Sequence, residues 1–225
     1  MRMLRILGIT AIAILLCSTP SKGQRPDPIE GIRYNSATDQ IIINHEFRGA
    51  WVTTVNATDW PKNRVILDKI SPSESHKAMK KRIAKQIDSQ KIAIVEMFKS
   101  LKECGINAIM FHTVSNSDAM YPSKILPWSV NLTGKQGQDP GYDPLAIAVQ
   151  ECHNLGLEIH AWINPLRCSS VSTLRAENHP YNLHPEWTQV YGSTYYWDPA
   201  YTEVSDFLAY IATELMTKYE LDGLH

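Results

Sequence analysis

The sequence predicts an α/β fold of the (β/α)8 TIM-barrel type, with about the first four strands of the barrel held in 225 residues. Three observations carry that expectation. From Arg48 onward, short apolar runs alternate with amphipathic stretches of a dozen residues or more, the pattern of parallel strands joined by crossover helices. Segments that follow strands are long and rich in polar and aromatic residues, whereas the returns at Gly105-Ile106 and Gly156-Leu157 are tight. Barrels gather their functional groups on that strand-exit side. Finally, no Gly-x-Gly-x-x-Gly follows a strand, which disfavours the competing doubly wound sheet in its dinucleotide-binding form. A whole barrel takes about 250 residues, so four strands are half of one.

In chain order, Met1 to Gly23 reads as a secretory signal. Arg2 and Arg5 give the positive end, and Ile6 to Cys17 is an apolar core too short to span a bilayer. Ser21-Lys22-Gly23 puts small residues where cleavage before Gln24 needs them. Leu16 precedes Cys17 where lipoprotein signals carry a small residue, so soluble export, periplasmic or extracellular, is expected ahead of a lipid anchor at Cys17. No membrane span is expected after cleavage. Three cysteines then remain, Cys104, Cys152 and Cys168, an odd number that cannot pair fully within the chain. Cys104 and Cys152 are expected as buried free thiols. With 22 Lys+Arg against 23 Asp+Glu, the formal charge of -1 leaves no basic field for nucleic acid.

Residues 24–47 form a polar lead-in with one β-like run, Ile41-Ile42-Ile43. Gly49 to Val55 is the first barrel strand, and Asn56 to Pro61 a loop. A helix follows within Ser75 to Glu103, with Ile87, Ile94, Phe98 and Leu101 at helical spacing and Gly105 as its stop. Ile106 to Phe111 is the second strand, and His112 to Tyr142 a long loop. Asp143-Pro144 caps a helix running to Leu155, and Leu157 to Ile163 is the third strand. Asn164 to Tyr201 is a second long, aromatic loop. Thr202 caps a third helix with Val204, Phe207, Leu208, Ile211 and Leu215 on one face, and Leu221 to His225 opens a fourth strand.

At the loops, a set of motifs becomes specific. Arg48-Gly49-Ala50-Trp51-Val52-Thr53-Thr54 is followed by Asp59-Trp60-Pro61, then by Asp118-Ala119-Met120-Tyr121-Pro122-Ser123 and Pro127-Trp128-Ser129. Pro140-Gly141-Tyr142-Asp143-Pro144-Leu145, His160-Ala161-Trp162-Ile163-Asn164-Pro165 with Arg167, Trp197-Asp198-Pro199 and Asp222-Gly223-Leu224-His225 complete the series. In this order, from about Arg48 to His225, they resemble the glycosyl-hydrolase-like 10 family of bacterial envelope proteins. The resemblance implies a TIM-barrel glycosidase acting on a bacterial envelope or related polysaccharide, peptidoglycan glycan strands included. It also implies a continuation of the fourth strand into Phe-Asp-Asp-Tyr, placing the catalytic acids just past His225 and leaving residues 1–225 inactive alone. At His112-Thr113-Val114-Ser115-Asn116 the chain departs from the family, which often carries an Arg in a Gln-Val-Arg-like run there.

Glycoside hydrolysis needs one carboxylic acid to protonate the leaving oxygen and a second carboxylate as nucleophile or base, both facing the sugar. Among the acids present, Asp118 and Asp59 sit in strand-exit loops and are the candidates for substrate contact, with Asp118 the weak candidate for catalysis. The competing readings are structural: Asp118 bracing its loop, Asp59 capping a turn before Trp60-Pro61, and Asp198 and Asp222 ordering backbone. Trp60 and Tyr121 join the candidates as aromatic surfaces that suit sugar rings. Period-two spacing puts His160, Trp162 and Asn164 on one face. Trp162 is then a stacking platform, Asn164 and Arg167 are hydroxyl ligands, and His225 is a polar ligand at the barrel mouth. No cofactor is expected, and no spacing suggests a metal. A metal-dependent hydrolase would place His-x-His after the first strand, where this chain has Trp51-Val52-Thr53-Thr54. A non-catalytic glycan-binding protein and a non-functional fragment are the remaining alternatives.

Overall fold

A computed structural model of the chain describes the backbone of residues 32–35 and 40–43 and the whole of residues 46–225. The expected signal, with Cys17, lies outside the described residues. The chain divides into two units, residues 1–47 and 48–225. In the first, β1 (Ile32–Asn35) pairs antiparallel with β2 (Gln40–Ile43), which contains the triple-isoleucine run.

The second unit repeats strand and helix: β3 (Gly49–Val52), α1 (His76–Glu103), β4 (Ala108–Val114), the single turn α2 (Val130–Thr133), α3 (Pro144–Asn154) and β5 (Glu158–Ile163). Then come β6 (Arg167–Ser170), β7 (Thr188–Tyr191), β8 (Thr194–Trp197), α4 (Thr202–Lys218) and β9 (Gly223–Leu224). The main sheet has the order β3-β4-β5-β9, parallel throughout, with α1, α3 and α4 in the crossovers. Spatial order follows chain order without reversal. A doubly wound sheet reverses at a switch point, whereas a barrel adds each strand beside the last. The sheet is therefore four strands of a (β/α)8 barrel.

Local chemistry sets the helix limits. The Ser75 hydroxyl accepts the Ala78 N–H at the start of α1, and Gly105, at φ +84°, takes the left-handed turn that ends it. At α3 the Asp143 carboxylate accepts the Ala146 N–H, Pro144 occupies the first helical position, and Gly156 closes the end. α4 differs from the sequence expectation: Tyr201 takes the cap position with no side-chain bond, and Thr202 is already helical, its hydroxyl donating to Glu203.

One sheet face packs against the helices. Val52, Ile109, Phe111, Ile159, Ala161 and Ile163 form one core with Ile94 and Phe98 of α1, Leu145, Ala148 and Cys152 of α3, and Ile211 and Leu215 of α4. β5 alternates as expected, with Ile159, Ala161 and Ile163 buried and His160 and Trp162 partly open on the opposite side. There Trp51, His160, Trp162 and His225 line the interior side of the sheet. Trp51 meets Trp162 edge-on at 4.9 Å and His225 at 5.4 Å.

Four expectations are corrected. The first strand stops at Val52 because Asn56 and Ala57 take φ +53° in a 3-10 turn, and the Asp59 carboxylate accepts the Thr53 N–H at 2.8 Å to turn the chain. The second strand runs on to Val114, being central and buried along its whole length. The loop after β5 holds a three-stranded antiparallel sheet, β6-β8-β7, folded over Cys168, Trp197 and Val204. Cys104 is exposed rather than buried, while Cys152 and Cys168 are buried free thiols.

Candidate active-site cleft

The strand exits of β3, β4 and β5 converge on a cleft of about 510 Å³ lined by Thr53, His112, Trp162, Asn164 and Arg167. Beside it, sharing Val55 and Arg167, lies a second hollow of about 220 Å³. Its lining is polar: Asn56, Asn116, Asn131, Gln136, Ser170 and Thr173 among others. Hydroxyls and amides that can each donate and accept suit a ligand made of ring hydroxyls.

His112 is the floor of the first cleft. Its ring lies parallel to Trp162, centroids 3.8 Å apart with 12° between planes, and its Nδ1 is 3.4 Å from the Thr53 hydroxyl. The Nε2 atom is buried without a hydrogen-bond partner. Burial lowers the imidazole pKa to about 4; the Asp118 charge opposes the shift and the Arg167 charge adds to it. His112 is therefore neutral at physiological pH. Trp162, held by this stack, keeps part of its surface open to the cleft. Asn164 is fixed at the mouth by its N–H on the Val114 carbonyl and its amide on the Ser115 carbonyl, 3.2 Å away.

Asp118 lines the second hollow but is 1% exposed. One oxygen accepts from the Ser115 hydroxyl at 2.9 Å and the Asn116 N–H, the other from the Val130 N–H and the Gln136 amide. With four donors of its own loop upon it, this carboxylate braces the loop. Asp59 is held by the Thr53 N–H. Asp198 accepts the Ala200 N–H in a turn, and Asp222 accepts the Ile159 N–H at 2.8 Å while meeting His153 at 3.0 Å. The structural reading of all four acids matches their contacts.

Trp162, Asn164 and Arg167 are brought together in the cleft. Trp60 and Tyr121 are not: the Trp60 ring is 1% exposed with its N–H on the Gln90 carbonyl, and Tyr121 is fully buried, donating its hydroxyl to Glu214 at 2.9 Å. Burial also raises the Tyr121 pKa. Neither ring offers a face to a sugar, because the loops spend these aromatics on their own cores. His225 is exposed on the interior side, its Nε2 3.0 Å from the His160 Nδ1. His112, Asn56, Asn116 and Asn131 were missed as candidates. The signal for His112 was its place near the end of the second strand, and the loop amides carried none. Among the described residues no cluster of three or more His, Cys, Asp or Glu could hold a metal ion. No described helix is long and apolar enough to cross a membrane.

The family description Glycosyl hydrolase-like 10 matches residues 46–225. Glycosyl hydrolase DigH of Escherichia coli K12 is 33% identical over 96% of this chain and 49% of its own length. Glycosyl hydrolase YngK of Bacillus subtilis 168 is 33% identical over 81% of this chain and 32% of its own. The chain thus spans about half or less of these curated relatives. Of solved structures, the maltogenic alpha-amylase AmyB from Thermotoga neapolitana overlaps 60% of this chain and 34% of its own at 12% identity and a TM-score of 0.41. The match over residues 46–225, with 33% identity to DigH across 96% of the chain, places this chain in the glycosyl hydrolase-like 10 family.

Proposed function

We propose that the cleft binds a glycan of the bacterial envelope or a related polysaccharide, peptidoglycan glycan strands included, and that the activity it serves is hydrolysis of O-glycosyl bonds by a carboxylate pair. The observation that carries the reading is the assembly of Trp162, Asn164 and Arg167 over a neutral histidine at the strand exits. An aromatic face stacks on the apolar face of a sugar ring while amide and guanidinium groups take its hydroxyls. Export to the periplasm or outside the cell is part of the proposal and follows from the Met1 to Gly23 pattern.

Hydrolysis needs two carboxylates facing the sugar. Asp59 and Asp118 are committed to backbone and loop donors, so the reading places the pair at the exit of the fourth strand, past His225, where the family resemblance puts it. The described residues then supply binding, and the chain alone holds glycan without cutting it.

Calorimetry of the purified chain with peptide-free glycan strands, combined with an assay for new reducing ends, tests this. Binding without new ends is expected. New reducing ends would locate the acids within residues 1–225, and Asp118→Asn would then be the variant to assay. Failure to bind any envelope glycan would overturn the proposal. The committed state of both acids also favours a second reading, glycan binding with no hydrolysis by the natural protein. That reading falls if a protein carrying the fourth-strand acids releases reducing ends.

A further inference from the structure

Arg167 occupies a position that binding sugar hydroxyls does not by itself explain. It stands between the two hollows and contributes to the lining of both. Its backbone is fixed in β6, paired with Tyr196 of β8, and its carbonyl accepts the Ser117 hydroxyl. Its guanidinium, among the described residues, makes neither an ion pair nor a hydrogen bond. The nearby Arg175 is occupied differently, donating to the Ser169 hydroxyl and lying 4.0 Å over the Tyr181 ring.

The acids nearby do not answer that charge. Asp118 is the one carboxylate lining either hollow among the described residues, and both its oxygens are taken by four loop donors. The Arg167 charge is felt within the site, since it helps hold His112 neutral. A half-buried guanidinium carries five N–H donors in a planar fork and no acceptor. One sugar hydroxyl would satisfy a single donor and none of the charge. A carboxylate takes two parallel N–H bonds and neutralises the group.

We propose that Arg167 reads a carboxylate borne by a ring of the bound glycan, with the amides of Asn56 and Asn131 in the adjoining hollow left for neighbouring neutral substituents. The ligand class is an acidic polysaccharide, its carboxylate carried on an ether side chain or directly on the ring. This inference rests on the cleft being a glycan site.

Three tetrasaccharide probes separate the possibilities by calorimetry on the whole chain. One is a peptide-free muramic-acid-containing chain, with the carboxylate on a lactyl ether. The second is tetragalacturonate, with the carboxylate on the ring, and the third is neutral chitotetraose. One acidic probe is expected to bind at least about tenfold more tightly than chitotetraose, and which one does identifies where the carboxylate sits. In Arg167→Gln that preference is expected to vanish, the acidic probe losing at least about tenfold and chitotetraose, which keeps Trp162 and Asn164, losing several-fold less. Arg167→Lys, which keeps the charge without the fork, should retain part of it. Because the guanidinium supports no other side chain, near-ultraviolet dichroism should be unchanged in both variants. Equal affinity for acidic and neutral probes, or equal loss of all three in Arg167→Gln, overturns the Arg167 assignment and leaves the glycan site standing. No binding of any probe to the unaltered chain overturns both.

Discussion

At the residue scale, two buried side chains beside the cleft are held by opposite means: His112 has a ring nitrogen without a partner, whereas both Asp118 oxygens are taken. His112 folds as a neutral imidazole, its pKa lowered to about 4 chiefly by desolvation, whereas an unfolded chain protonates it near 6.5. Between those values the unfolded state binds the extra proton. The stabilisation is therefore complete above about pH 6.5 and is lost as pH falls toward 4. The shift corresponds to roughly 3 kcal/mol. His179, also lowered by burial, acts in the same direction, so the His112 contribution must be isolated by difference. In urea titrations at pH 7 and pH 4.5, wild type should lose more stability than His112→Gln, and parallel losses would show that His112 does not titrate as described. Asp118 commits both carboxylate oxygens to the loop. Asp118→Ala strands four donors around a buried site, and a loss of about 3 kcal/mol or more is expected by urea denaturation. An unchanged midpoint would contradict the bracing role.

Elements were legible in the sequence where a local rule had one outcome. Ser75, Asp143-Pro144, Gly105 and Gly156 delimit α1 and α3, since a cap hydrogen bond or a left-handed turn is settled within four residues. The β7–β8 hairpin was missed although its sign was present. Gly192-Ser193, with Gly192 at φ +60°, forms the two-residue turn between Thr-Gln-Val-Tyr and Thr-Tyr-Tyr-Trp. Long aromatic stretches read as loop when the turn within them is overlooked. The cleft-facing placement of Trp162 was legible because period-two alternation on β5 fixes which side chains share a side, and Asn164 and Arg167 follow the end of that strand. Trp60 and Tyr121 were not distinguishable from them, because sequence does not say whether a loop turns an aromatic inward. One test belongs at this scale. β9 approaches β5 so closely that a Cβ at Gly223 would collide with the His160 ring. Gly223→Ala is expected to cost about 1–3 kcal/mol and to disturb the His160–His225 contact. Full stability with unshifted histidine resonances would place β9 farther from β5 than described.

For the whole molecule, the sheet order was legible because barrel topology follows chain order, and the four parallel strands needed no long-range information to arrange. Its energetics are uneven across the two sides. Helices cover one face, while the interior side carries Trp51, 54% exposed, with Trp162 and His225. β3 and β9 stand at the two ends of the order, and parallel sheets are stable when both faces are covered. The described unit is therefore expected to take up a hydrophobic dye on that open side while still unfolding cooperatively in urea. An absence of dye uptake would show that this side of the sheet is covered in solution.

The parallel stack of Trp162 on His112 also makes the cleft its own optical reporter. An indole in contact with an imidazole emits strongly while that ring is neutral and is quenched when the ring gains a proton. Trp60 and Trp197 are sealed in the two cores, whereas Trp187 stacks on His184 and Trp51 meets His225, so the Trp162 signal is read as the difference from a Trp162→Phe variant. Ligand arrival over Trp162 can thus be followed by native emission without a label.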